Sequence, residues 1–348
     1  MKKIYWFLIA IVVITLLVLL FSFINRDRMM DRMIEMAMSK SANKIEYIED
    51  RDGIRVITLG TASPLSSDRN QTGTAIFVDG MFFLFDVGYG VIRQAELEKL
   101  PLNKLSGIFL SHWHSDHFIE LPYAINRSWQ LGRKHPLDIY GPEGLDTVLI
   151  GVSQFLKYEN ENRVSHHGSE VMNPLIAGVN SRTIDMRGSV STILYQQNEL
   201  RITAFEVCHQ PVTPSYGFRI DYKGKSVVIS GDTKEKCHTL EDFAKGTDLL
   251  LHEVMLKDVF EKSSKRNAKN GNERNAKIAQ DITKYHTSPI DIGIMAQRAG
   301  VKKVVLHHFA PVPSNLIFER RYKSDLSKNY KGAISLAEDG NEYYVEIN

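Results

Sequence analysis

Four residues within a stretch of six carry the strongest chemical signal in this chain. They are His112, His114, Asp116 and His117, in the run Ser111-His112-Trp113-His114-Ser115-Asp116-His117. Imidazole nitrogens and carboxylate oxygens are the donors that suit divalent zinc, and manganese and iron accept the same mixture. Burying so many polar rings unpaired would be costly, so the cluster reads as a binding site rather than as chance. Once more distant ligands join, four donors in so short a span exceed one tetrahedral ion, and the spacing favours two metals. The chain has twelve histidines and only two cysteines, Cys208 and Cys237, which excludes a Cys-rich zinc finger and a disulfide-stapled miniprotein.

The elements that must position these groups read mostly as strands. IRVITLG (54–60) comes first, then TAIFV (74–78) and FFLFD (82–86) joined by an Asp79-Gly80 hairpin turn. Helical patterning over 90–100 precedes the strand GIFLS (107–111), which runs straight into the histidines, and a strand-end loop can turn all four donors inward. The stretch 118–165 reads as mostly helical, with a strand at 136–142 between two helices. Strands are then expected at 200–209, in a hairpin over 216–232 turning at Lys223-Gly224, and at 248–254. A helix over 289–299 stopped by Gly300, a strand over 302–309 and a last hairpin turning at Asp339-Gly340 complete the pattern. Mixed strands and helices in this order predict an α/β sandwich without the regular alternation of a parallel barrel.

The HxHxDH string resembles the signature of the metallo-β-lactamase superfamily, and further matches follow in the order that family shows. His209 is similar to its next ligand, Asp232 in Ser230-Gly231-Asp232-Thr233 to the carboxylate that bridges both metals, and His308 to its last ligand. The resemblance spans roughly residues 54–310. Leu59-Gly60-Thr61-Ala62-Ser63-Pro64, His252-Glu253 and His286-Thr287-Ser288-Pro289 look most like the ribonuclease Z and arylsulfatase-type branch. It implies an αββα four-layer sandwich with two divalent ions, zinc first and manganese or iron as alternatives. His112, His114 and His209 would hold one ion, Asp116, His117 and His308 the other, and Asp232 both. Two cations about 3.5–4 Å apart generate hydroxide at neutral pH and neutralise charge on the attacked group. Asp116 would orient that hydroxide or take its proton, and His286 would assist the departing oxygen.

Weaker signals have plainer readings. Alternation along 302–309 turns His307 away from His308, to an outer-sphere or surface position. His252 and Glu253 are expected to hydrogen-bond a ligand rather than touch metal. Of His166 and His167, in a loop-like segment, one is a candidate to face substrate, although a surface position is favoured; His135 and His238 read as solvated. Neighbours on a strand point to opposite faces, so Cys208 should point away from His209, and two unpaired thiols are favoured over a disulfide. The basic segment 261–277 reads by default as a solvated loop, with steering of an anionic substrate as the alternative.

With 43% apolar and 24% charged residues the chain is too apolar to be disordered. Setting aside Lys2 and Lys3, residues 26–348 carry 41 basic and 41 acidic side chains, which argues against nucleic acid as partner. Ile4 to Ile24 is interrupted only by Thr15 and Ser22, and as a helix would be about 31 Å long, enough to cross a bilayer. Residues 1–25 therefore read as a transmembrane signal anchor rather than a cleaved signal peptide, and the body as exported, by analogy with signal anchors. Residues 26–52, with Met30, Met33, Ile34 and Ala37 on one face, read as a juxtamembrane helix or stalk, and 53–348 as the hydrolase domain. The favoured function is hydrolysis of a small anionic ester, either a sulfate ester or a phosphodiester. The alternatives are ribonuclease Z-like RNA 3′-processing, hydrolysis of a lactone or carboxyl ester, and, least favoured, a non-catalytic metal-binding envelope protein. Only 22 residues separate His209 from Asp232, where tRNA-processing enzymes of this branch carry an RNA-gripping arm. Oligomeric state is left open.

Overall fold

The computed structural model describes residues 2–42, 52–66 and 68–347 and divides into two units, Met1–Tyr47 and Ile48–Asn348. In the first unit α1 (Lys2–Ile24) is apolar on every face, and Lys3–Ile24 is long and apolar enough to cross a membrane. The helix expected after it is α2 (Arg26–Ala42), which exposes Met30, Met33 and Ile34. The side chain of Ala37 and residues 43–51, the rest of the expected stalk, lie outside the described residues.

The second unit opens with β1 (Gly53–Gly60), β2 (Gly73–Val78) and β3 (Met81–Phe85), followed by α3 (Val91–Leu97) and β4 (Leu105–Phe109). Next come α4 (Ser115–Phe118), α5 (Leu121–Gln130), β5 (Leu137–Gly141), α6 (Leu145–His167), α7 (Pro174–Ala177) and β6 (Val179–Thr183). The chain then forms β7 (Ser191–Gln197), β8 (Leu200–Glu206), β9 (Tyr216–Tyr222), β10 (Lys225–Ile229), α8 (His238–Ala244) and β11 (Leu249–Met255). The last elements are α9 (Lys257–Lys269), α10 (Glu273–Asp281), α11 (Pro289–Arg298), β12 (Lys303–Ala310), α12 (Leu316–Ser327), β13 (Ala333–Leu336) and β14 (Glu342–Glu346).

Two seven-stranded sheets result, one in the order β14-β1-β2-β3-β4-β5-β6 and the other β13-β12-β11-β10-β9-β8-β7. Their facing sides share a core in which Ile54, Ile76, Phe85 and Phe109 meet Ile202, Phe218, Val227 and Leu251. Helices α3, α5 and α6 bury Val91, Leu121 and Leu149 against the outer face of the first sheet. On the outer face of the second, α8, α11 and α12 bury Leu240, Ile292 and Leu326. The expected αββα sandwich is therefore the fold. Each sheet joins an antiparallel half to a parallel one, β3 to β6 in the first and β10 to β13 in the second. Ligand-binding loops of such sheets gather at the carboxyl ends of parallel strands.

Three expectations are corrected here. The final strands are not a hairpin: β13 pairs with β12 and β14 with β1, so the turn near Asp339-Gly340 carries the chain from one sheet to the other. The segment 261–277 is not a loop but most of a helical hairpin, in which α9 packs on α10. The strand expected over 200–209 ends at Glu206, so residues 207–209 lie outside it. Strands β6 and β7, which no pattern announced, are exposed sheet edges with little apolar alternation to read.

Candidate metal centre

The parallel strands deliver their polar groups just past their ends. Ser111 to His117 follow β4, Asp232 follows β10, and His308 lies near the end of β12. Gly231 takes a φ of +58° at the turn after β10, and a Cβ there would sit 2.3 Å from the Tyr216 carbonyl oxygen. His308 has a φ of +47° and is an extra residue in β12, since Glu253 pairs with His307 and Val254 with Phe309. This bulge re-aims His308 toward the centre.

All seven positions expected to hold metal come together. His112 Nε2 and His209 Nε2 lie 2.9 and 3.4 Å from His114 Nδ1, and 3.9 and 3.8 Å from Asp232 Oδ2. On the other side, Asp116 Oδ2 lies 3.5 Å from His117 Nε2 and 3.1 Å from His308 Nε2. Asp232 Oδ1 lies 3.5 and 3.4 Å from the same two nitrogens. One carboxylate thus turns one oxygen to each group. His117 Nε2 and Asp232 Oδ1 are buried and hydrogen-bond nothing among the described residues, which native interiors rarely tolerate. Orphaned donor atoms of the right chemistry, converging at these distances, fit divalent metal binding.

Outer partners fix which ring nitrogen faces inward. His209 donates from Nδ1 to the Tyr285 carbonyl (3.0 Å), and His117 donates from Nδ1 to Asp86 Oδ2 (2.8 Å). Ser111 donates its hydroxyl to Asp86 Oδ2 (2.8 Å), leaving its oxygen to accept from His112 Nδ1 (3.0 Å). With Nδ1 engaged outward, each of the three rings turns its Nε2 to the centre. Burial pushes His112 well down and His209 down to about 4, holding both neutral. Burial pushes Asp232 up, but the charges of His308 and His117 outweigh it and hold the carboxyl well below its usual range. Asp86 is the residue that sequence reasoning missed. Its signal was a lone carboxylate closing the apolar strand FFLFD, and it is now buried and accepts three hydrogen bonds, counting one from the Ser111 backbone N–H.

His286 is buried beside the cluster, and its Nδ1 lies 3.2 Å from Glu253 Oε2. Glu253 Oε1 accepts from the Thr287 backbone N–H (2.7 Å). Glu253 thus contacts His286, not an expected ligand, and His252 points its Nδ1 to the Glu253 carbonyl (2.6 Å), which corrects the expectation for both. Burial, then the Asp232 charge, pushes Glu253 well up, while burial pushes His286 down to about 4, so both are neutral. His307 is neither on the surface nor bonded: it is 2% exposed, with both ring nitrogens unpartnered among the described residues. His166 and His167 lie exposed at the end of α6 and take no part, and His135 and His238 are solvated. Cys208 and Cys237 form a disulfide, Cα to Cα 5.6 Å. This corrects the expectation of two unpaired thiols; Cys208 lies beyond the end of β8, so strand alternation with His209 does not set its direction. A cavity of about 270 Å³ opens on the centre, lined by Asp116, Asp232, Tyr285, His286 and His308.

Residues 82–309 match the Beta-lactamase superfamily domain. The chain is 29% identical to ribonuclease Z of Mycobacterium avium (strain 104) over 300 residues, covering 84% of this chain and 99% of that protein. It is 30% identical to ribonuclease Z of Mycolicibacterium gilvum over 262 residues, 74% of this chain and 85% of that one. Among solved structures, the short form of human tRNase Z superposes with a TM-score of 0.59 at 23% identity, over 84% of this chain and all of the other.

Proposed function

From the premise that this chain belongs to the metallo-β-lactamase superfamily and is a metal-dependent hydrolase of ester bonds, we propose that it is a phosphodiesterase of the ribonuclease Z kind. His112, His114 and His209 would hold one divalent ion, Asp116, His117 and His308 the other, and Asp232 would offer one oxygen to each. The observation that carries this is Asp232, whose two oxygens face two separate donor groups. Zinc is the first candidate for both positions. Bound there, two dications would lower the pKa of a shared water toward neutrality and offset charge developing on the attacked phosphorus.

The protein groups supply proton traffic and orientation. Asp116 orients the nucleophilic water and accepts its proton. Neutral Glu253 donates to His286 Nδ1, so the His286 Nε2–H is the proton available to the cavity. As the leaving oxygen takes it, the Glu253 proton follows to Nδ1. The ribonuclease Z relatives favour phosphorus over sulfur as the attacked centre, so the sulfate ester becomes the minor reading.

A second reading, a small phosphodiester in place of folded RNA, is favoured by two features. The 22 residues between His209 and Asp232 form the β9–β10 hairpin inside the sheet, with no protruding arm, and the body carries equal numbers of basic and acidic side chains. We also infer that α1 anchors the chain and that residues 53–348 are exported. The apolar helix supports the first and the Cys208–Cys237 disulfide the second, since disulfides persist in oxidising compartments.

The test uses the full chain in detergent, loaded with zinc or manganese. It should cleave a precursor-tRNA 3′ end or bis-p-nitrophenyl phosphate, with loss on chelation. Turnover confined to p-nitrophenyl sulfate or a lactone would overturn the phosphodiester assignment, and cleavage of the small diester alone would select the second reading. An alkaline phosphatase fusion at the carboxyl end should be active if the body is exported.

A further inference from the structure

A second cavity, of about 600 Å³, adjoins the one over the metal centre, and Ser63 and Leu65 line both. Its walls are the segment after β1, the end of β12 with the residues that follow it, and helix α9, much of which the sequence had presented as a solvated loop. We propose that this cavity binds the nucleotide next to the scissile phosphate, with Arg266 and Lys262 on its phosphate and Ser63 at the junction of the two cavities. The inference rests on the phosphodiesterase reading and names the substrate class it serves, a diester bearing a second phosphate.

Three observations carry it. Ser63 is 3% exposed, yet its hydroxyl has no hydrogen-bond partner among the described residues, although buried polar groups are normally paired. Lys262 and Arg266 are one helical turn apart on α9 and both line the cavity. Arg266 makes no ion pair among the described residues, and Lys262 is shared only with Asp258 at 3.1 Å, so a guanidinium fork stands available for a phosphate. Leu65, Phe260 and Val312 give an apolar, partly aromatic wall of the kind on which a base packs. Asp68 also lines the cavity, one carboxylate against two cations, and can accept from a ribose hydroxyl or a base amino group. The volume lies within the range of small-molecule sites, about 300–1,000 Å³, whereas inorganic phosphate would leave most of it unfilled.

The test is binding of 1,N6-ethenoadenosine 5′-monophosphate to the full chain in detergent, followed by fluorescence anisotropy after treatment with EDTA so that metal cannot hold the phosphate. Saturable binding is expected, weakened at least tenfold in K262A/R266A and severalfold in S63A, while 1,N6-ethenoadenosine itself loses less than twofold in K262A/R266A. Unchanged circular dichroism and melting of the variants show that the fold is kept, and R266E, with the carbon framework largely preserved, should lose at least as much as the double variant. No saturable binding, or equal affinity in wild type and K262A/R266A, overturns the proposal. Such a failure with metal-dependent diester cleavage intact strikes this cavity alone. Binding as expected in a chain that cleaves no diester strikes the phosphodiesterase reading instead.

Discussion

Replacing Asp86 by Asn tests whether a residue that touches no expected ion sets the metal affinity of the centre. The carboxylate accepts from Ser111 N–H and Ser111 Oγ–H and from His117 Nδ1–H, each at 2.8 Å. In Asp86→Asn, Oδ1 still accepts from the Ser111 backbone, but an amide NH2 now stands where Oδ2 received the imidazole proton. Two donors cannot face each other, so His117 must tilt or move its proton to Nε2, the atom 3.5 Å from both Asp116 and Asp232. A ring protonated there has no lone pair for a cation. Loss of such a supporting carboxylate typically costs 10–100-fold in metal affinity, about 1.4–2.7 kcal/mol. Zinc affinity is measured by chelator competition, with two binding steps resolved. The step proposed for Asp116, His117 and His308 should move by that factor while the step proposed for His112, His114 and His209 moves little. A double-mutant cycle sharpens the result: once His117→Ala is present, adding Asp86→Asn should cost almost nothing further. Affinity for both ions within twofold of wild type would refute the coupling.

Other consequences follow from the same contacts. His286→Ala should lower kcat by 10²–10⁴-fold with both metals retained by elemental analysis, and loss of metal instead would make His286 a ligand or a structural group. Glu253→Gln should lower kcat in the same sense and shift the pH–rate profile, because the proton that follows His286 is no longer supplied. Burial pushes His252 down to about 4 from an ordinary 6.5, so its stabilising contribution is present above pH 6.5 and is lost as pH falls toward 4, when the unfolded chain takes up a proton that the folded ring refuses. Metal-free protein should thus lose on the order of 3 kcal/mol from this group over that window, and His252→Gln should flatten the acid limb of a urea-melt series. Reducing the Cys208–Cys237 disulfide, or replacing both by Ser, frees a loop of 29 residues and should cost about 3–4 kcal/mol, read as a lower melting temperature that dithiothreitol no longer changes in the double variant.

Local chemistry was legible in the residue string wherever short spacing does the work. His112, His114, Asp116 and His117 are bound by chain connectivity to one strand-end loop, so their convergence needed no tertiary knowledge. The sandwich was legible too, because two-residue alternation and hairpin turns such as Asp79-Gly80 are local properties, and His209, Asp232 and His308 were reached through resemblance. What lay beyond the sequence were partners set by packing between distant segments. Asp86 meets Ser111 and His117 only because β3 and β4 pair in parallel, and Glu253 meets His286 across 33 positions of chain. The disulfide and the bulge at His308 escaped alternation because each sits where the strand stops or slips, and strand periodicity holds only while the ladder is regular. Residues 261–277 looked like a charged loop because α9 and α10 are rich in Lys, Arg, Asn and Ser and bury no side chain larger than Ala276 and Ala279, so within 261–277 no large apolar residue marks an inner face. Their place beside Ser63 and the metal cavity is a property of the folded chain alone.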